Sequence, residues 1–235
     1  MSELGLALYR ECGDPGGEAR SLSNLGAILI SAGEHGRAAT VLDESVELAR
    51  SLGDERATAL ALNNRGDVAL TQGDWASAEA LFEESLALLR RLGDRANVAR
   101  SLFNLGASAL EQADDDRALA LLRESLALCG ELDDREDLAW CLVALAALAE
   151  RNGDAELGAT LIGAATGTIE SIGASLKPYE RTLYERTVST LAERLEPARL
   201  DELSRRGRSL APADAVAAAG AGARPPDPSA EQLTL

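Results

Sequence analysis

The chain has 235 residues, of which 46% are apolar and only 3% aromatic, and a formal net charge of −16. That apolar fraction is enough to bury a substantial core, and plentiful Ala and Leu with so few aromatic residues favour closely packed helices over sheets. Residues 1–176 carry the whole negative charge, and so acidic a surface repels phosphate backbones, so no direct nucleic-acid binding by this chain is expected.

The first 14 residues read as one helix. Leu6, Leu8, Arg10, Gly13 and Asp14 keep the register of Val46, Leu48, Arg50, Gly53 and Asp54, 40 positions later. The same offset relates Glu44-Ser45 to Glu84-Ser85 and Glu124-Ser125, and Asn24 to Asn64 and Asn104. Residues 15–173 therefore read as four helical hairpins of about 40 residues.

In the first hairpin, Leu22, Leu25, Gly26 and Leu29 form one stripe of a helix, which Gly33 is placed to end. A second helix carries Ala38, Leu42, Ser45 and Ala49 on one side, and Gly53-Asp54 punctuates the start of the next. The second unit repeats the pattern through Leu62, Gly66, Ala78, Phe82 and Ser85, and the third through Leu102, Gly106, Ala118, Leu122 and Ser125. A degenerate fourth unit keeps Leu142, Ala146, Gly158 and Ile162 and ends at Gly173.

Helices opened by Pro178, Pro197 and Pro212 follow, since proline suits a first helical turn. Residues 174–219 form a helical cap in this reading. The Ala-, Gly- and Pro-rich residues 220–235 are expected to be a disordered tail.

Leu25-Gly26, Leu105-Gly106 and Gly66, with the helix B pairs Ala38/Leu42, Ala78/Phe82 and Ala118/Leu122, resemble the tetratricopeptide repeat. The chain departs from that signature in having Leu in place of the first Trp, no closing Pro and a period six residues longer. The resemblance implies an all-α, tetratricopeptide-repeat superhelix with a C-terminal helical extension. Within it, residues 1–14 are an orphan second helix of an incomplete repeat, as if cut from a longer polypeptide.

A second resemblance lies in Leu161-Ile162-Gly163-Ala164-Ala165, Ile172-Gly173-Ala174, Pro178, Tyr184-Glu185-Arg186, Gly207-Arg208 and Ala213-Asp214-Ala215-Val216. This succession is similar to the end of large actinobacterial ATPase-type transcriptional regulators. There, DNA-binding or signalling modules and an ATPase module precede a repeat arm, and residues 1–219 would correspond to that arm alone.

At about 100° per residue, the side of each first helix opposite its hairpin partner faces the concave groove. It presents Arg20, Arg100 and Trp140 in one column, Asn63 and Phe103 in another, Asn24, Asn64 and Asn104 in a third, and Asp67 in a fourth. A ladder of Asn side chains offers donors and acceptors to an extended peptide, a use the resemblance also implies; alternatively each Asn bonds a neighbouring repeat. Arg20 and Arg100 suit acidic ligand groups or plain surface charge, and Phe103 and Trp140 suit groove anchors or packing.

The sole histidine, His35, has no second ligand at helical spacing, and the sole lysine, Lys177, lies in no phosphate-binding loop. Asp114-Asp115-Asp116 lacks the alternating oxygen spacing of a calcium loop, and Arg205, Arg206 and Arg208 fall short of a DNA-binding footprint. Three cysteines without paired spacing predict neither a metal centre nor a disulfide framework. The longest apolar run, Ala139–Ala149, is too short to span a bilayer.

The expectation is a cytoplasmic, non-catalytic interaction scaffold needing no cofactor or metal. It would bind a protein or peptide, or upstream ATPase and DNA-binding modules of its own polypeptide, as the sensing arm of a regulator. A free-standing adaptor is the alternative.

Overall fold

The computed structural model describes residues 2–222. They fold into α1 (Ser2–Cys12), α2 (Pro15–Ser31), α3 (His35–Ser51), α4 (Glu55–Thr71), α5 (Trp75–Leu92), α6 (Arg95–Glu111), α7 (Asp115–Leu132), α8 (Arg135–Arg151), α9 (Ala155–Ile172), α10 (Pro178–Arg194), α11 (Pro197–Arg208) and α12 (Pro212–Gly222). Helices α2 to α9 pair as four successive hairpins, α1 packs on α2, and α10 to α12 close the far end. The last helix runs to Gly222, beyond the tail boundary expected at 220. Buried Ala219 and a 2.9 Å bond from Arg123 to the Gly220 carbonyl hold it against the array. The rest of the expected tail, 223–235, lies outside the described residues.

An aspartate caps nearly every array helix. Asp14, Asp54, Asp74, Asp94, Asp114, Asp134 and Asp154 each accept a bond from the backbone N–H three residues on, at 2.9 to 3.3 Å, which satisfies a donor the helix leaves free. Most preceding turns use a left-handed glycine. Ala113 (φ 59°) and Asp133 (φ 53°) adopt the same conformation with a side chain attached, where L-residues are strained.

The core is a spine with a 20-residue beat. Leu22, Leu42, Leu62, Phe82, Leu102, Leu122, Leu142 and Ile162, one per array helix, are at most 4% exposed. Within the first three hairpins the first helix meets this spine with Gly26, Gly66 or Gly106, and a Cβ at these positions would overlap Leu42, Phe82 or Leu122. The recurring glycine thus sets how closely two helices approach.

The Glu-Ser echo has a similar account. Ser45, Ser85 and Ser125 are buried and donate to the carbonyls of Ala19, Ala59 and Ala99 at 2.7 to 2.8 Å, clamping each hairpin shut. The adjacent Glu44, Glu84 and Glu124 accept from Arg10, Arg50 and Arg90 at 2.5 to 2.8 Å, joining consecutive repeats on the surface. The ladder stops where its next arginine would stand. Position 130 is Gly, and α12 takes that place with Val216 3.6 Å from a Cβ built there.

Candidate functional site

Helices α4, α6 and α8 line the concave side of the array, and the chain's own C-terminal extension lies along it. Residues 174–180, the linker after α9 and the first turn of α10, form a strap that reaches Trp140 through Lys177. The only lysine in the sequence places its Nζ 4.4 Å from the centre of the indole ring. Phe103 stands 6.0 Å from the same ring, tilted by 44°, and the Arg100 guanidinium carbon lies 5.7 Å from the ring centre. Two cations thus flank one aromatic face system, a favourable arrangement for a ring quadrupole.

Arg100 is held in turn by Asp137, whose two carboxylate oxygens accept from Nε at 3.2 Å and Nη2 at 3.1 Å. Asp137 is only 1% exposed, and burial pushes its carboxyl above the ordinary value, with Arg100 opposing. Burial also raises Asp67, against the pull of Lys177 and Arg100. Glu180, in the first turn of α10, is 5% exposed, and burial pushes its carboxyl up to about 7. Its Oε2 is buried without a hydrogen-bond partner.

From the end of the strap onward, α10 is tied down by pairs along the groove edge. The Tyr179 hydroxyl donates to Glu111 Oε1 at 3.2 Å, and Arg186 donates to both oxygens of the same carboxylate at 2.6 and 3.2 Å. Arg194 pairs with Glu150 at 2.8 Å. Leu183 and Leu191, at 1% and 0% exposure, anchor α10 to the core.

The expected groove residues divide into three groups. Arg20 and Asn24, on α2, are exposed. Asn64 and Asn104 spend their amides inside the protein: Asn64 donates to Ser23 Oγ at 3.0 Å in the preceding repeat, and Asn104 to Asp67 Oδ1 at 2.9 Å. Asn63 is buried and its carbonyl oxygen lies 3.4 Å from both Asn104 Nδ2 and Ser101 Oγ. Asp67, Arg100, Phe103 and Trp140 converge beneath the strap, Phe103 and Trp140 being almost fully buried. The asparagine column is therefore one exposed residue followed by two that join repeats.

Lys177, Tyr179, Glu180, Glu111 and Asp137 were not singled out from the sequence as groove residues. One signal was present: Ala139–Ala149 has no polar face, and a helix apolar all round must be covered all round. In the structure, residues 138–146 of α8 are buried on every side, and α10 packs against that helix.

Cys129 and Cys141 are buried, and burial pushes the Cys141 thiol up. Among the described residues, no group of His, Cys, Asp and Glu is placed to hold a metal ion, and no helix is long and apolar enough to cross a membrane.

A family model described as tetratricopeptide repeat matches residues 17–91 and, in an overlapping placement, 55–131. No curated protein matches the chain. The matched stretch spans α2 to α7, where glycine meets the core spine and serine clamps each hairpin. Repeats of this family support a protein-interaction scaffold, and the fold of the chain is an all-α solenoid of tetratricopeptide-type hairpins.

Proposed function

We propose that the chain is a non-catalytic interaction scaffold that binds a protein or peptide segment in its concave groove, in exchange for its own strap, and that it serves as the sensing and regulatory arm of a multidomain ATPase-type transcriptional regulator. The observation that carries the binding reading is the strap itself. A segment of this chain, the linker up to the extended Lys177 and the first turn of α10, already lies in the groove, with its ammonium over Trp140 and its Tyr179 hydroxyl on Glu111. A groove that accommodates such a segment in cis has the chemistry to accommodate one in trans. Exposed Arg20 and Asn24 extend the surface toward α2, while Asn63, Asn64 and Asn104 shape it from behind.

The binding reading is tested by selecting displayed peptides on the purified chain and mapping each binder by hydrogen exchange. The expected result is protection in α4, α6 and α8 with faster exchange in 174–180. Binders that map elsewhere and leave the strap's exchange unchanged would sink it.

The regulator context is supported by the resemblance of the C-terminal stretch and by α1, where Leu8 and Tyr9 are 59% and 39% exposed, an apolar edge suited to another packed helix. The alternative is a free-standing adaptor, in which α1 covers the end of the array through the same Arg–Glu pair, Arg10 to Glu44 at 2.5 Å, that recurs between interior repeats. Reading the coding DNA upstream of Met1 separates the two. An in-frame helix and phosphate-binding loop supports the regulator, and an immediate stop codon favours the adaptor.

A further inference from the structure

We propose that the seat on Trp140 is a recognition site for a lysine side chain of a partner protein segment, with Lys177 as its resident competitor. This rests on, and deepens, the reading of the groove as a peptide-binding surface.

Charge complementarity names the occupant. Asp67 and Asp137 both act on Lys177 across the seat, and Arg100 is already committed to Asp137. With the strap lifted, two carboxylates would face one guanidinium beside a bare indole, a combination that calls for a compact cation. Arg100, held on Asp137 and 5.7 Å from the ring centre, together with Phe103, fixes the ring that the incoming ammonium must meet.

The resident fits imperfectly. Beside Lys177 and Pro178 lies a cavity of about 20 Å³ walled by Ile30, Leu70, Asp67 and Glu180. Glu180 Oε2, buried and without a partner, belongs to the strap itself. Docking Lys177 therefore drags a carboxyl into an apolar, already acidic corner, and an unpaired buried acceptor is costly. A partner segment with lysine, then an aromatic hydroxyl two residues on to meet Glu111, and no acid at the third residue would keep the favourable contacts and omit the costly one. The recognised chemistry is thus lysine-x-tyrosine followed by a neutral residue.

The test uses the full chain carrying Lys177→Ala and Tyr179→Ala, which vacates the seat while Leu183 and Leu191 stay anchored. Two synthetic peptides matching residues 174–182 are titrated calorimetrically, both with Gln in place of Glu180, one keeping Lys at 177 and one carrying Gln there. The expected result is at least tenfold tighter binding of the lysine peptide. Equal binding of the two overturns lysine recognition and leaves the groove reading standing; no binding by either, to a variant with unchanged helical circular dichroism, overturns both. Should the double variant lose helicity, Lys177→Gln alone serves, with the same expected ratio. Light scattering on the intact chain checks the occupant: a doubled mass would assign the seat to the strap of a second copy and overturn the partner proposal.

Discussion

Replacing Glu180 by Gln should stabilise the protein, and by an amount that grows with pH. The Glu180 carboxyl is raised from an ordinary 4.5 to about 7 by burial, with Asp67 and Asp137 adding to the effect and Lys177 opposing it. A carboxyl whose folded pKa is raised holds its proton more tightly in the folded protein than in the unfolded chain. No cost arises below pH 4.5, stability then falls as pH rises toward 7, and above 7 the full cost is present. At 1.36 kcal/mol per unit, that cost is about 3 kcal/mol at pH 8 and about 1 kcal/mol at pH 5.5. Glutamine keeps the shape and does not titrate. The lost attraction between a carboxylate and the N-terminus of α10, roughly 0.3–1 kcal/mol, is the smaller effect. Urea denaturation of both proteins at the two pH values, followed by circular dichroism, should show the variant's advantage increasing by about 2 kcal/mol. An advantage that is the same at pH 5.5 and pH 8, or a variant less stable at both, would refute the account of a buried carboxyl under the strap.

Four further substitutions test how the array is held. Gly66→Ala drives a Cβ into the Phe82 ring and should cost about 1–3 kcal/mol in thermal or urea unfolding. Ser85→Ala removes a buried 2.8 Å bond to the Ala59 carbonyl and should cost about 1 kcal/mol by urea denaturation. Ala113→Gly relieves a left-handed alanine at φ 59° and should raise stability by about 1 kcal/mol, visible as a higher melting temperature. Glu84→Gln breaks the ladder to Arg50, where both side chains are about half exposed, so its cost should stay under about 1 kcal/mol and fade as salt is raised.

The repeat was legible because its physics is local and repeated. A glycine opposite a core leucine or phenylalanine, a serine clamp and a capping aspartate each recur at a fixed spacing, so three copies of a weak signal become a strong one. The proline-opened helices were legible for the same local reason. The occupancy of the groove was not, because it depends on a contact between Trp140 and Lys177, 37 positions apart and outside the repeat. The asparagine column shows the limit of spacing as evidence. Positions 24, 64 and 104 share one register, yet Asn24 is exposed while Asn104 reaches Asp67 of the preceding repeat. Among the described residues, the unit before position 24 is represented by α1 alone.

The burial pattern also decides how the groove could open. Leu183 and Leu191 are at most 1% exposed, and stripping α10 from the array would expose both, at about 2–3 kcal/mol each, besides uncovering α8 along its length. Wholesale release of α10 is therefore a rare event. The strap is a different matter: it lies between the left-handed Gly173 and the anchored part of α10, it carries the unpartnered Glu180 oxygen, and beside the packing of Leu176 and Tyr179 on the core its side-chain contacts are Lys177 on Trp140 and Tyr179 on Glu111. Yet Trp140, 2% exposed in the docked state, would be partly bared by strap release alone. An empty groove is thus disfavoured on both counts, and the economical route is exchange, in which an incoming segment takes over the indole as the strap leaves. Under that mechanism, partner binding should accelerate amide exchange within 174–180 while leaving the amides around Leu183 and Leu191 protected, and equal acceleration over the whole of α10 would rule it out.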